Sequence, residues 1–462
     1  MTEKIIEYYN SIKGKKITFI GIGVTNRPLI KKFAKLGAKV TACDKCSMAD
    51  LGDEGKVLLD MGVTLNLGEN YLENLEGDII FRTPGLNYNH PKLKEAREKG
   101  ITVTSEMEVF FDICPAKIYA VTGSDGKTTT TTLISEFLKA EGKKVYLGGN
   151  IGTPLLPLVD DMCDTDCAVV ELSSFQLMSM KKSPNVAVVT NIAPNHLDVH
   201  KDMDEYVEAK ENLIKYQNGS DITVLNNSNN YTLEFAKRAK GEVRMFTRIA
   251  TTENGAFCDE KGDIYFAQKG VNTLIMNRED IRLPGLHNVE NYLAAICAVA
   301  GEVSAENIKK VANNFGGVEH RIEFVRELNG VKWYNDSIAT SPTRAIAGLL
   351  AFDKRLIIIA GGYDKHIPFE PFAECAVDHI KLLILTGDTA EKIKSCVENQ
   401  KGYNPETLEI IMAEDMEEAV QIAKNKAKDG DVVSLSPACA SFDRYKNFML
   451  RGEHFKTLVK EL

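Results

Sequence analysis

Ala120-Val121-Thr122-Gly123-Ser124-Asp125-Gly126-Lys127-Thr128-Thr129-Thr130 decides how this chain is read. The apolar run Ile118 to Val121 predicts a buried strand, and Thr130 to Ala140 has helical spacing at Leu133, Ile134, Phe137 and Leu138. A glycine-bounded loop between strand and helix lets successive backbone N–H groups approach an anion at the helix N-terminus. Lys127 can then reach the outer phosphates of a nucleotide, and the Thr128 hydroxyl can sit on Mg²⁺. Val121 stands where the common form of this loop has its first glycine. A plain glycine turn before a solvated lysine is the rival reading, and the Gly-Lys-Thr run directly after a strand speaks against it.

Working outward, 462 residues are enough for about three domains. A net charge of −9 argues against wholesale nucleic-acid binding and leaves room for a small anionic substrate at a local basic site. The charged start Met1 to Glu7 lacks the apolar core of a signal peptide, and no run has the length of a membrane span, so a cytoplasmic protein is expected. Ten scattered cysteines read as reduced thiols, with Cys43-Asp44-Lys45-Cys46 incidental for want of a second pair.

Towards the N-terminus, Lys16 to Gly23 is a strand entering a glycine turn, Arg27 to Leu36 a helix and Lys39 to Asp44 a second strand. With an acid about twenty positions after the glycines, this is half of a dinucleotide fingerprint. Asn26 occupies the place of the third glycine, so a nucleotide-like ligand is favoured over a nicotinamide cofactor. Strands at 79–81 and 101–103 follow, with helical segments read around Tyr71 to Leu75 and Pro91 to Lys99, and Arg82-Thr83-Pro84-Gly85-Leu86 forms a sharp turn at a strand's carboxyl end.

After the phosphate loop, three apolar strands each end in polar groups. These are Gly148-Gly149-Asn150, Glu171-Leu172-Ser173-Ser174 and Asn191-Ile192-Ala193-Pro194-Asn195-His196-Leu197-Asp198. In a parallel sheet such ends line up beside the phosphate loop. A carboxylate and an imidazole there suit Mg²⁺ handling, although Glu171 could equally cap a helix and His196 start one. Lys210 reads as an ordinary surface lysine of a helix. Residues 221–282 read as strands and turns, and Asn288 and Asn291 share a helix face, where they could meet an adenine edge or cap the helix. From Gly316-Gly317 onward the βα alternation returns, with strands at 331–334, 356–360, 382–385 and 432–435.

The expected fold is therefore α/β in three domains: a Rossmann-like domain at 1–113, a central P-loop ATPase-like domain at 114–317, and a C-terminal Rossmann-like α/β domain at 318–462. With its clusters in view the chain resembles the Mur ligases, the ATP-dependent amide-forming enzymes of peptidoglycan synthesis. The likeness is carried by Gly123-Ser124-Asp125-Gly126-Lys127-Thr128-Thr129, Glu171-Leu172-Ser173-Ser174-Phe175-Gln176-Leu177, Asn195-His196-Leu197-Asp198, Pro284-Gly285-Leu286-His287-Asn288 with Asn291, and His320-Arg321. Folylpolyglutamate synthase belongs to the same superfamily. The runs Asn335-Asp336-Ser337-Ile338-Ala339-Thr340 and Ser436-Pro437-Ala438-Cys439-Ala440-Ser441-Phe442-Asp443 are similar to the D-glutamate-adding branch. Ile338, where that branch often has lysine, and Asn26 depart from its pattern.

That resemblance implies a substrate, UDP-N-acetylmuramoyl-L-alanine, whose carboxylate takes the γ-phosphoryl group of ATP before D-glutamate displaces phosphate. It implies Gly123 to Thr129, Asn288, Asn291, Arg321 and Asp336 around ATP. Mg²⁺, in two sites, would be held near Thr128, Glu171, His196 and a carbamylated Lys210; Lys127, Glu171, His196 and Lys210 would be catalytic. Val24, Thr25, Asp44, Lys45, Gly85, Asn150 and His196 would hold the UDP-substrate, and Thr340, Lys365, Ser441, Phe442 and Phe448 the D-glutamate. A cytoplasmic monomer with hinges at 110–115 and Gly316-Gly317 is expected, closing on its small-molecule substrates. Another amino-acid ligase of the superfamily and a non-catalytic nucleotide-binding regulator are the rival readings.

Overall fold

Short aliphatic runs that end in glycine turns become the strands of three sheets in the computed structural model, which describes residues 1–151, 153–194 and 200–462. The first sheet holds β1 (Lys16–Ile20), β2 (Lys39–Asp44), β3 (Thr64–Leu67), β4 (Ile79–Phe81) and β5 (Thr102–Thr104), all parallel in the order β3-β2-β1-β4-β5. The helix Arg27–Lys35 lays Leu29, Ile30 and Phe33 on this sheet, where Phe33 meets Phe19 and Phe81 edge-on at 5.5 and 5.4 Å. The helix read around Tyr71 to Leu75 is instead a series of turns, in which Asn74 takes the left-handed φ of +56° that no right-handed helix accommodates. The helices Met48–Leu51 and Asp53–Asp60 and strand β3 lie in a stretch without a clear hydrophobic period.

The second sheet holds β6 (Lys117–Thr122), β7 (Val145–Gly149), β8 (Cys167–Glu171), β9 (Val186–Val189), β10 (Ile222–Asn226), β11 (Glu242–Thr247), β12 (Gly255–Cys258), β13 (Asp263–Gln268) and β14 (Val271–Asn277). Their order is β14-β13-β12-β11-β10-β9-β6-β8-β7, parallel from β12 to β7 and antiparallel through the final hairpins. β6, β8 and β9 are almost wholly buried, which is why they read as unbroken apolar runs. A helix, Asn230–Ala236, interrupts the stretch read as strands and turns alone.

The third sheet holds β15 (Glu323–Leu328), β16 (Val331–Asn335), β17 (Leu356–Ala360), β18 (Ile380–Leu385), β19 (Glu409–Met412) and β20 (Val432–Leu435) in the order β15-β16-β20-β17-β18-β19. Only the edge strand β15 runs antiparallel, with an irregularity between Phe324 and Arg326. Apolar layers cover both faces, one around Ile358, Leu383 and Phe372 and the other around Trp333, Ile359 and Phe455. Contacts group the chain into two compact units, Met1–Arg278 with Val289–Val311, and Glu279–Asn288 with Ala312–Leu462. The first two sheets belong to the former and the third to the latter. Among the described residues no helix is long and apolar enough to cross a membrane.

Candidate active site

The phosphate loop is built by β6 running into the helix Lys127–Ala140, which starts three residues earlier than its apolar spacing indicates. Two glycines make the bend. Gly123 has φ +151°, and a Cβ there would strike the Thr190 hydroxyl; Gly126 has φ +75°, and a Cβ there would strike the Asn291 amide oxygen. The Asn191 side-chain oxygen accepts from the N–H of Ser124 at 3.1 Å and of Asp125 at 2.9 Å, so the end of β9 holds the loop. The Ser124 hydroxyl donates to the Ala193 carbonyl at 2.9 Å and lies 3.0 Å from the Tyr206 hydroxyl. Thr130 donates to the Asn291 amide oxygen at 3.3 Å, placing Asn291 against the loop. The opening N–H groups of the helix, which have no intrahelical acceptor, form an anion cradle.

Lys210 is not a surface residue. It is 1 % exposed, and its ammonium donates to the Gly123 carbonyl at 2.9 Å and the Thr122 hydroxyl at 3.3 Å, 4.7 Å from the centre of the Tyr206 ring. Lys127 donates to the same Gly123 carbonyl at 2.9 Å and to that of Ser124 at 2.8 Å. Burial, and then the Lys127 charge, push the Lys210 pKa well below the usual lysine range. One strand away, Glu171 ends β8 at 1 % exposure, with one carboxylate oxygen accepting from the Asn150 amide at 2.7 Å. The other oxygen is buried with no hydrogen-bond partner among the described residues, as suits a carboxylate that takes a cation. Asn150, Glu171, Thr128, Lys127 and Lys210 thus gather at the carboxyl edge of one parallel sheet; His196 lies outside the described residues.

In the first sheet, Asp44 binds the glycine turn with one oxygen, accepting from the N–H of Ile22 at 2.6 Å, while the other accepts from the N–H of Cys46 just beyond it at 3.0 Å. Burial raises its pKa, but these donors outweigh burial and hold the carboxyl below its ordinary range. Asn26, in the place of a glycine, closes the turn by donating to the carbonyls of Ile20 at 2.9 Å and Gly21 at 3.2 Å. Val24 is exposed, Thr25 half-buried, Gly85 exposed, and Lys45 pairs with Glu69 at 3.3 Å. Arg82, which sequence reasoning treated only as part of a turn, is 1 % exposed. It donates to the Phe175 carbonyl at 2.9 Å and the Ser179 hydroxyl at 2.7 Å, fastening the Thr83-Pro84-Gly85 turn to the segment after Glu171.

In the second unit the strand ends of β16, β20 and β17 adjoin. Asp336 is buried, accepting from the Ile322 N–H at 3.2 Å and the Ser436 hydroxyl at 3.1 Å, and burial lifts its carboxyl to about 7. Arg321, exposed, follows His320, whose φ of +63° is held by Asn335 at 2.9 Å from its Nδ1. Asn288 in this unit donates to the Pro284 carbonyl at 2.6 Å, just ahead of the helix Leu286–Val299. Lys365 donates to the Thr340 hydroxyl at 3.3 Å, so these two expected residues do meet. Ser441 is buried, Phe442 is exposed beside Tyr363 at 5.9 Å, and Phe448 lies edge-on to His320 at 5.8 Å. The 435–443 run passes through Ala438 at φ +57° and is held by Arg451, missed in the sequence. Its buried guanidinium donates to the carbonyls of Ser337, Cys439 and Ala440 at 2.9–3.1 Å.

A phosphate loop, an orphan carboxylate oxygen and a depressed lysine on one sheet edge define a nucleotide-dependent group-transfer enzyme. Residues 121–299 match the Mur ligase middle domain and residues 320–439 the Mur ligase glutamate ligase domain. The chain belongs to the Mur ligase family. Within it, the chain is 51 % identical, over the full length of both proteins, to the UDP-N-acetylmuramoylalanine–D-glutamate ligases of Clostridium botulinum and Clostridium novyi. Two solved structures share the fold: the UDP-N-acetylmuramate–alanine ligase of Thermotoga maritima (TM-score 0.57, 17 % identity) and a pseudomurein peptide ligase of Methanothermus fervidus (0.53, 18 %). Each aligns over 97 % of this chain and 99 % of the other.

Proposed function

We propose that this chain is the ATP-dependent ligase that joins D-glutamate to UDP-N-acetylmuramoyl-L-alanine in peptidoglycan precursor synthesis, working as a cytoplasmic monomer. Residues 1–113 would take the UDP-substrate, 114–317 the ATP and 318–462 the amino acid. The observation that carries the reading is the convergence of Lys127 and Lys210 on one carbonyl beside the orphan oxygen of Glu171.

The first step sets an anion against an anion. An oxygen of the alanyl carboxylate attacks the γ-phosphorus, the bond to the β-phosphate oxygen breaks, and ADP leaves an acyl phosphate. Lys127 can swing from its loop carbonyls to the outer phosphates, while the helix N-terminus holds their oxygens. The D-glutamate amine then attacks the acyl carbon, the carbon–oxygen bond breaks, and phosphate leaves with the amine proton lost to the medium. Asp44, Val24, Thr25, Lys45, Gly85 and Asn150 would position the UDP-substrate, and Thr340, Lys365, Ser441, Phe442 and Phe448 the D-glutamate. Asn288, Asn291, Arg321 and Asp336 would surround the nucleotide.

Magnesium, when bound, neutralises the transferring phosphoryl group; Thr128, Glu171, His196 and Lys210 would hold it in two sites. An ammonium is no ligand for a cation. The depressed Lys210 amine is instead the form that can attack CO₂, forming an N–C bond, releasing a proton and leaving a carbamate with two ligand oxygens. Phosphate release from Mg-ATP and UDP-N-acetylmuramoyl-L-alanine tests the whole reading. It should require D-glutamate and not respond to L-glutamate, L-lysine or meso-diaminopimelate; release with another amino acid alone would refute the assignment.

A further inference from the structure

Two cations, Arg344 and Lys365, reach the loop after β16, and neither is in an ion pair with a carboxylate among the described residues. Lys365 donates to the Thr340 hydroxyl at 3.3 Å, and Arg344 donates to the Ile338 carbonyl at 3.4 Å. The Thr340 N–H bonds that same carbonyl at 2.7 Å, so the two charges flank one three-residue turn. Such a turn spans at most about 10 Å.

Neither cation forms an ion pair among the described residues, although acids outnumber bases by 65 to 56 in this chain. Asp364, next to Lys365 in sequence, is already engaged, by Lys392 at 2.8 Å and by the His366 N–H at 2.7 Å. The buried Asp336 feels the Arg344 charge without bonding to it, its oxygens accepting from Ile322 and Ser436, and burial outweighs that charge in lifting its carboxyl to about 7. Arg344 also lies in the first turn of the helix Pro342–Leu349, where aligned N–H groups add positive potential. Two like charges this close repel each other, and an anion with a charge at each end relieves both. Ile338 contributes no charge of its own to the turn.

We propose that Arg344 binds one carboxylate of the incoming amino acid and Lys365 the other, so that the turn 338–340 and its two cations select a dicarboxylic substrate. The planar guanidinium can grip a carboxylate through two parallel N–H bonds, which an ammonium cannot. This rests on the ligase reading above and names the residue that makes the acceptor site prefer a dianion.

The test is steady-state phosphate release by the full chain and its variants, with each substrate varied in turn. Arg344→Ala should raise KM for D-glutamate about ten- to hundredfold, the worth of one charge-assisted contact. KM for ATP and for the UDP-substrate should stay within about twofold, by the same reasoning that a lost contact affects only its own ligand. Arg344→Lys should fall between wild type and Ala, and Arg344→Glu should be worst. Arg344 is exposed, so an unchanged melting temperature is expected of all three variants. A D-glutamate KM within twofold of wild type in Arg344→Ala, or three KM values rising together, would overturn the inference while leaving the ligase reading standing. A wild-type chain with no D-glutamate-dependent release would bring down both.

Discussion

Glu106 offers the sharpest energetic test, because it is a carboxyl buried for structural reasons in a place no step of the reaction uses. It opens the helix Glu106–Ile113 at 3 % exposure and accepts from the N–H of Leu155 at 2.8 Å and of Leu156 at 2.7 Å, both through the same oxygen. Burial lifts its pKa from an ordinary 4.5 to about 7, and the two N–H donors offset only part of that. The folded state therefore holds the proton more tightly than the unfolded chain. Stability from this group is full below pH 4.5 and is lost as pH rises through 7. At about 1.4 kcal/mol per pH unit, the loss comes to about 3 kcal/mol. Glu106→Gln carries no charge at any pH and keeps one oxygen able to accept both bonds. It should match wild type near pH 5 and exceed it by about 2–3 kcal/mol at pH 8, less any cost of seating the amide N–H₂. Urea unfolding followed by circular dichroism measures this. The single tryptophan, Trp333, lies in the other unit and supplies a fluorescence transition that should not move. A Gln variant displaced equally at both pH values, or a wild type whose stability is flat between them, would refute the reasoning.

Three further outcomes are expected. Lys210→Ala should abolish turnover and regain part of it with added acetate or formate, and wild type stripped of CO₂ should lose activity that bicarbonate restores; indifference to bicarbonate would exclude the carbamate. Gly126→Ala places a side chain at φ +75° against Asn291, so ATP binding should weaken about tenfold from about 1–2 kcal/mol of strain, read as KM for ATP with that for D-glutamate unchanged. Arg82→Met should cost about 1–3 kcal/mol in urea, as leaving buried acceptors unsatisfied does, and should raise KM for the UDP-substrate more than that for ATP.

Strands and turns were legible because their causes are local: β6, β8 and β9 are apolar runs, and Gly123 and Gly126 are glycines that no other residue could replace without collision. The turns at 71–75, the strand β3 and the helix Asn230–Ala236 were not, since each is short and set by packing more than by period. The same division runs through the site. Lys127 and Glu171 announce themselves at the ends of strands, whereas Arg82 and Arg451 bond carbonyls 93 and 114 positions away, which no spacing rule reaches.

Lys210 stands between these cases. Tyr206, Ala209, Leu213 and Ile214 form the buried stripe of the helix Met203–Lys215, and Lys210 lies on that stripe, one turn from Tyr206. The pattern that marks a core face thus marked a charged residue as inward, and a buried lysine in no ion pair among the described residues is costly enough to require a reason. The reason is chemical. Removal from water, together with Lys127 on the same carbonyl, loosens the hold of the Lys210 amine on its proton, and only an unprotonated amine can become an anionic ligand. Were Lys210 on the outer face, where its residue type alone would put it, it would remain an ammonium and repel the metal it is proposed to hold.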